Sequence, residues 1–328
     1  MKLVTFTTQD SPDQVGVLVN NDQHVVNVTA AEPDRPDLRS MQALIEAGAA
    51  GLDVVRELLE RGGPRLPLAD VRLRPPVPVP AQLRDCLCFE KHLKGAFRVG
   101  SKLSIAAAAD PAARAREIEE RGLYQVPDIW YKQPLYYKGN RFACSGTGED
   151  VPWPGYSELL DYELEIGCWI GSTGTDISRE QATGHIFGYS IFNDITARDA
   201  QFAEMDGSLG PAKGKDFNKS NVIGPCIVTA DELDPYNLTM IARVNGEEWS
   251  RAHSSTMHWR FEDLIAHVSA SETLYAGEFL GSGTVGGGCG LELERFLKPG
   301  DVVELEVEGI GVLSNRLVRT EIVEKVSS

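Results

Sequence analysis

Along the first 75 residues, short apolar runs alternate with polar turns. Residues 3–7, 15–19 and 24–29 each read as a strand, and apolar positions at helical spacing over 41–59 predict a helix that Gly62 and Gly63 stop. Residues 74–80, RPPVPVP, place four prolines in six positions and enforce an extended connection. A domain boundary is expected there, between a small N-terminal α/β unit over 1–75 and a larger unit over 76–328. Residues 110–122 carry complete helix punctuation: Asp110 as N-cap, Pro111 in the first turn, Gly122 past the end, and Arg116/Glu120 and Glu117/Arg121 spaced four apart. Beyond Cys144 the pattern becomes strands broken by Gly, Pro and Asp, alternating most clearly in VVELEVEGIGV after the turn Lys298-Pro299-Gly300-Asp301. The expected class is mixed α/β, dominated by β structure, with no internal repeat.

Composition narrows the partners. The 328 residues are 42% hydrophobic and 24% charged, and no apolar run approaches the ~20 residues of a membrane span. The start, MKLVTFTTQD, turns polar at once, so no secretory leader is expected and the cytoplasm is the expected compartment. A net charge of −16 opposes nucleic acid and anionic lipid as partners. A small anionic substrate stays compatible, because clustered Arg, Lys and a dication reverse the potential inside a cleft. Six cysteines, at 86, 88, 144, 168, 226 and 289, are too sparse for a disulfide framework and fit reduced thiols.

The candidate chemistry begins in LLDYELEIGCWIG, 159–171. In a strand, Glu163 and Glu165 project from one face, and two buried carboxylates side by side need a cation. The apolar neighbours Leu160, Tyr162, Leu164, Ile166 and Trp169 argue against a wholly solvated strand. A second acid, Asp194, closes the apolar run IFGYSIFND.

The ordered blocks YELEIG, FNDITARDAQ, GPAKGKDFNKSNVIGPCIV, FLGSGTVGGG and LKPGDVVELEVEGIG resemble the fumarylacetoacetate hydrolase family over residues 80–322. The resemblance implies that family's β-roll or sandwich catalytic fold with a small leading domain, and a homodimer. It implies metal ligation by Glu163, Glu165 and Asp194, with Asp85 as a fourth carboxylate, for a divalent cation: Mg²⁺ first, Ca²⁺ or Mn²⁺ as alternatives. DCLCFEKHLKGAF places His92 at the family's general base. The glutamate that follows the histidine by three residues in shorter members is Gly95 here, and GCGLEL supplies Glu292 as the partner used by the fumarylacetoacetase-like members. The resemblance further marks Lys215 as catalytic, and Tyr137, Arg198, Gln201 and Thr284 as substrate contacts. Leu87 departs from that subgroup's second active-site tyrosine.

The implied activity is metal-dependent hydrolysis of a carbon–carbon bond in a β-diketo acid, an acylpyruvate or a fumarylacetoacetate-like compound, in aromatic catabolism. In that reaction His92, oriented by Glu292, activates water. The alternative is decarboxylation or keto–enol isomerisation of a 2-oxo acid, and a third reading is a silent metal-binding protein on the same scaffold. Residues 99–130 are expected to form a helical insertion at the entrance, since His92 and Tyr137 flank it. Cys86-x-Cys88 lacks a second pair at zinc spacing, His253 and His258 read as surface or packing residues, and the glycine-rich stretch 281–290 lacks a phosphate-loop ending.

Overall fold

The computed structural model describes residues 1–319 apart from Asp10, Asp206 and Ser208; residues 320–328, the end of the expected larger unit, lie outside the described residues. The class is mixed α/β, as the pattern predicts. The three N-terminal strands form at Lys2–Thr7, Gln14–Val19 and His24–Asn27. The third stops two residues earlier than the apolar run suggests, because the Asn27 side chain accepts from Ala30 N and caps a helical turn at Val28–Ala31. The helix Met41–Arg61 is capped by Ser40 and closed by a left-handed Gly62. Its interior is interrupted at Gly48, whose φ of 58° no helical residue adopts.

A twelve-stranded mixed sheet runs across the proline-rich segment. Lys2–Thr7 pairs with Asn221–Thr229, and the order continues through Ile186–Asp194, Leu164–Ile170, Phe279–Gly281, Leu83–Cys86 and Tyr136–Lys138. Leu3, Val15, Val17 and Val26 on one face pack with Leu44, Ile45, Val55 and Leu58 of the Met41–Arg61 helix. On the opposite face lies a five-stranded sheet containing Thr239–Val244, Glu247–His253, Val302–Val307 and Gly311–Val318. Strands Leu164–Ile170, Ile186–Asp194 and Asn221–Thr229 are buried from end to end, so polar groups on them must find partners inside the protein.

The Glu90–Ala107 helix follows the short strand Leu83–Cys86 and carries His92 in its first turn. Residues 99–107 of the expected insertion simply continue this helix. The Pro111–Arg121 helix has the caps that its sequence specifies: Asp110 Oδ1 accepts from Ala113 N at 3.0 Å, and Gly122 is left-handed. Arg114 donates to Ser104 Oγ at 2.8 Å and ties the two helices together. Val99 and Leu103 pack with Leu291, Phe202 and Phe296, which sets the long helix against the short helix Gly290–Leu293.

Candidate active site

Three carboxylates converge from three strands of the large sheet. Asp85 comes from Leu83–Cys86, Glu165 from Leu164–Ile170 and Asp194 from the end of Ile186–Asp194, and each offers an oxygen within 4.8 Å of the others. Gly281 makes room for them, since a Cβ there would lie 2.5 Å from Asp85 Oδ1. Burial raises all three carboxyls. Asp85 is pushed up to about 8 by burial and the Asp194 charge, and Glu165 goes well above the carboxylate range through burial and the charges of Asp85 and Glu163. Burial also raises Asp194, with the Lys215 ammonium opposing it.

Glu165 Oε2 and Asp194 Oδ1 are buried with no hydrogen-bond partner. Unpaired buried oxygens among mutually repelling carboxylates are groups that a bound cation would satisfy, and an all-oxygen set suits a hard one. The residues present therefore fit the divalent ion that the resemblance implies, with Asp85, Glu165 and Asp194 as its holders.

Glu163 stands differently from its neighbour two residues on. The strand starts only at Leu164, and Glu163 sits in the break before it, where its backbone N donates to Asn193 Oδ1. Its Oε2 lies 2.5 Å from Lys215 Nζ and its Oε1 2.7 Å from Arg198 Nη2. Burial works to raise the Glu163 carboxyl, and Lys215 and Arg198 override it, leaving it down at about 2. Lys215 Nζ also donates to Asp194 Oδ2 at 2.5 Å and Thr196 Oγ1 at 2.7 Å, so its three protons are engaged. Against burial, Asp194 and Glu163 hold Lys215 firmly protonated. Tyr137 Oη donates to Asp194 Oδ2 at 2.6 Å, and Thr284 Oγ1 donates to Glu165 Oε1 at 3.3 Å.

His92 and Glu292, 200 residues apart, meet with Nδ1 and Oε2 2.9 Å apart. A carboxylate only accepts, so Nδ1 carries the imidazole proton and Nε2 is left as the base. Gly287 N donates to both Glu292 oxygens and fixes the carboxylate. The glycine at 95 now has a reason: a Cβ there would lie 2.4 Å from Glu292 Oε1. The carboxylate delivered by Glu292 occupies the space beside the histidine's own helix, and only glycine leaves it free.

Arg198 and Gln201 sit on one face of the Arg198–Met205 helix, but they contact each other, with Arg198 Nη1 donating to Gln201 Oε1 at 3.0 Å. The remaining guanidinium donors go to Glu163 and to Asp161, a buried acid that sequence reasoning passed over. Asp161 also accepts from Gly290 N at 2.7 Å and Leu291 N at 2.9 Å, pinning the short helix that carries Glu292. Its place two residues before Glu163, in the same apolar run, was the available signal. Asn193 and Thr196 were missed in the same way, as supports of Glu163 and Lys215. Cys86 and Cys88 are buried core thiols, and all six cysteines are free.

Comparison with known proteins agrees with this geometry. The family model described as fumarylacetoacetate (FAA) hydrolase C-terminal matches residues 105–318. The mitochondrial oxaloacetate tautomerase FAHD2A of Homo sapiens is 31% identical over 323 residues, covering 97% of this chain and 92% of that one. The oxaloacetate tautomerase YisK of Bacillus subtilis is 30% identical over 318 residues, covering 92% and 95%. Among solved structures, the fumarylacetoacetate hydrolase of Exiguobacterium antarcticum superposes with a TM-score of 0.73 at 26% identity, covering 98% of this chain and 100% of that one. Maleylpyruvate hydrolase of Sphingobium, solved with manganese(II) and pyruvate, shares the fold with a TM-score of 0.71 at 22% identity, covering 98% and 100%. Among the described residues, no helix is long and apolar enough to cross a membrane. The strand-borne carboxylates, the His92–Glu292 pair and these matches lead to one conclusion: this chain belongs to the fumarylacetoacetate hydrolase family.

Proposed function

We propose that the chain is a metal-dependent keto–enol tautomerase of a small 2-oxo dicarboxylic acid, with oxaloacetate as the first substrate to test. The reading is carried by one observation, the likeness to named oxaloacetate tautomerases across nearly the whole length of both chains. It moves the weight from carbon–carbon hydrolysis, the first expectation from the sequence, to the isomerase alternative.

The residues supply what proton transfer next to a carbonyl requires. Asp85, Glu165 and Asp194 would hold the dication, Mg²⁺ or Mn²⁺, which when bound polarises the substrate's oxygens as a Lewis acid. His92 Nε2 removes a proton from the carbon beside the keto group and returns one to the product, while Glu292 holds the ring through Nδ1 and stabilises its charged form. Lys215 fixes Glu163 and Asp194 relative to each other and adds positive field where negative charge develops. Tyr137 and Thr284 keep Asp194 and Glu165 in place.

Hydrolysis of an acylpyruvate is the second reading, favoured by the same preformed dyad, which would serve equally to activate water. The test follows the enol absorbance of oxaloacetate with Mg²⁺ or Mn²⁺, with chelator, and with His92→Gln, while acetylpyruvate cleavage is measured in parallel. Tautomerase turnover lost to chelator and to His92→Gln, without cleavage, supports the proposal. Efficient acetylpyruvate cleavage with no acceleration of tautomerisation refutes it.

A further inference from the structure

Cys289 has no part in the chemistry above, yet its thiol lies against the dyad. It immediately precedes the Gly290–Leu293 helix, and Glu292 follows three residues later, so both side chains ride on the element that Asp161 pins. Cys289 Sγ lies 3.5 Å from Glu292 Oε2 and 4.0 Å from His92 Nδ1, while Nδ1 and Oε2 are 2.9 Å apart. All three side chains are buried.

A sulfur, an imidazole nitrogen and one carboxylate oxygen form a softer set than the all-oxygen cluster nearby, and such a mixture selects Zn²⁺ over Mg²⁺. The spacing agrees. Tetrahedral Zn²⁺ with ordinary bond lengths places its donors about 3.6 Å apart for S and O, about 3.6 Å for S and N, and about 3.4 Å for N and O. The three observed separations are close to these values, and small side-chain rotations close the differences. Gly287 N, which donates to both Glu292 oxygens, would continue to anchor the carboxylate once Oε2 turned to an ion. A surface cavity of about 340 Å³, lined by Gly95, Gly287 and Glu292 among others, brings solvent as far as the Glu292 side of the cluster. Lys91, Lys94 and Arg98 at the same cavity oppose a cation and keep the site weaker than a structural zinc centre.

We propose that His92, Cys289 and Glu292 form a second metal site, selective for Zn²⁺, whose occupation switches the enzyme off by capturing its proton-transfer base. On binding, Zn²⁺ forms bonds to Sγ, Nδ1 and Oε2. The Cys289 S–H proton leaves to solvent, and the imidazole proton is displaced from Nδ1 and ends on Nε2. One proton is released per ion and nothing is oxidised or reduced. With Nε2 protonated and Nδ1 ligated, the ring has no lone pair for the substrate. Burial raises the Cys289 thiol, so an ion binding there competes with its proton. The binding stands on geometry alone, whereas the inhibition rests on the role given to His92 under the proposed function.

The test uses Mg²⁺-saturated enzyme. Co²⁺, an optical stand-in for Zn²⁺, should give a thiolate-to-metal absorption band in the near ultraviolet that saturates at one equivalent. The band should be absent in Cys289→Ser. Zn²⁺ should lower kcat by about 100-fold, the scale of losing a general base, with KM nearly unchanged. Cys289→Ser should retain basal turnover and need at least about tenfold more Zn²⁺ for the same inhibition. No thiolate band in the wild type overturns the site, as does equal Zn²⁺ sensitivity in Cys289→Ser, which would place the ion at the carboxylate cluster. A band without loss of turnover overturns the switch and, separately, the role of His92. Should Cys289→Ser fail to fold, Cys289→Ala replaces it, and the wild-type band remains decisive by itself.

Discussion

Chelating the divalent cation should leave a folded protein whose stability falls as pH rises, and the carboxylate cluster sets the size of the fall. Burial and the Asp194 charge lift Asp85 from 3.8 to about 8, so across that interval the metal-free folded state holds a proton that the unfolded chain has released. Its contribution is fully present below 3.8 and is lost as pH climbs through about 8. At 1.36 kcal/mol per pH unit, the shift sets a ceiling of about 6 kcal/mol. Rearrangement of the carboxylates and entry of water reduce the expected value to ~2 kcal/mol. Glu165 and Asp194, also raised by burial, act in the same direction. In a chain of this length such a loss lowers Tm by about 3 °C. Calorimetric scans between about pH 5 and 8.5 should show this decline with chelator and a flat or rising Tm with excess Mg²⁺, because the loaded carboxylates are already ionised and neutralised. Asp85→Asn should raise the Tm of the chelated protein at the alkaline end by removing a like charge, and lower that of the loaded protein. A chelated protein whose Tm is independent of pH, or slopes identical with and without cation, would refute the reasoning.

Three further substitutions probe the frame. Glu292→Gln keeps the shape but loses the charge behind His92, and kcat should fall about 100-fold with the far-ultraviolet circular dichroism unchanged. Gly95→Ala puts a Cβ where Glu292 Oε1 lies and should cost about tenfold or more in kcat, with ~1–3 kcal/mol of stability, measured by steady-state kinetics and urea unfolding. Asp161→Ala leaves buried Arg198 with Glu163 as its one carboxylate partner and frees the Gly290–Leu293 helix. Urea unfolding should show a loss of about 3–5 kcal/mol, larger than for either active-site variant.

What the sequence disclosed follows from how local each signal is. The Pro111–Arg121 helix was legible because its start and stop are written within a few residues, in Asp110, Pro111 and Gly122. The Glu90–Ala107 helix was not, since its N-cap position is Phe89 with no capping side chain. The E-x-E reading assumed one unbroken strand and therefore one face for both acids. Glu163, placed before Leu164, is held by Lys215 and Arg198 at the edge of the same cluster, and the three oxygens that lie nearest one another come from Glu165, Asp194 and the expected fourth carboxylate, Asp85, on a parallel neighbour of Phe279–Gly281. Spacing along the chain holds no information about the His92–Glu292 contact; only the ordered family blocks pointed to it. Gly95 read as a missing partner, and becomes the vacancy that admits the partner from elsewhere. Arg198 and Gln201, marked as substrate contacts by the resemblance, contact each other, and Arg198 is also held by Asp161 and Glu163, partners that spacing along the chain does not disclose.

Under the proposed function, this chain moves a proton between carbon and oxygen through His92, beside a cation that Asp85, Glu165 and Asp194 would hold. Nuclear magnetic resonance of oxaloacetate in D₂O tests it directly, by following deuterium at C3 and the release of pyruvate in one sample. With Mg²⁺ or Mn²⁺, the wild-type protein should exchange C3 hydrogens about 100-fold faster than His92→Gln or the chelated protein, well ahead of any pyruvate formed. Exchange no faster than without enzyme, or exchange unaffected by chelator and by His92→Gln, would contradict the account.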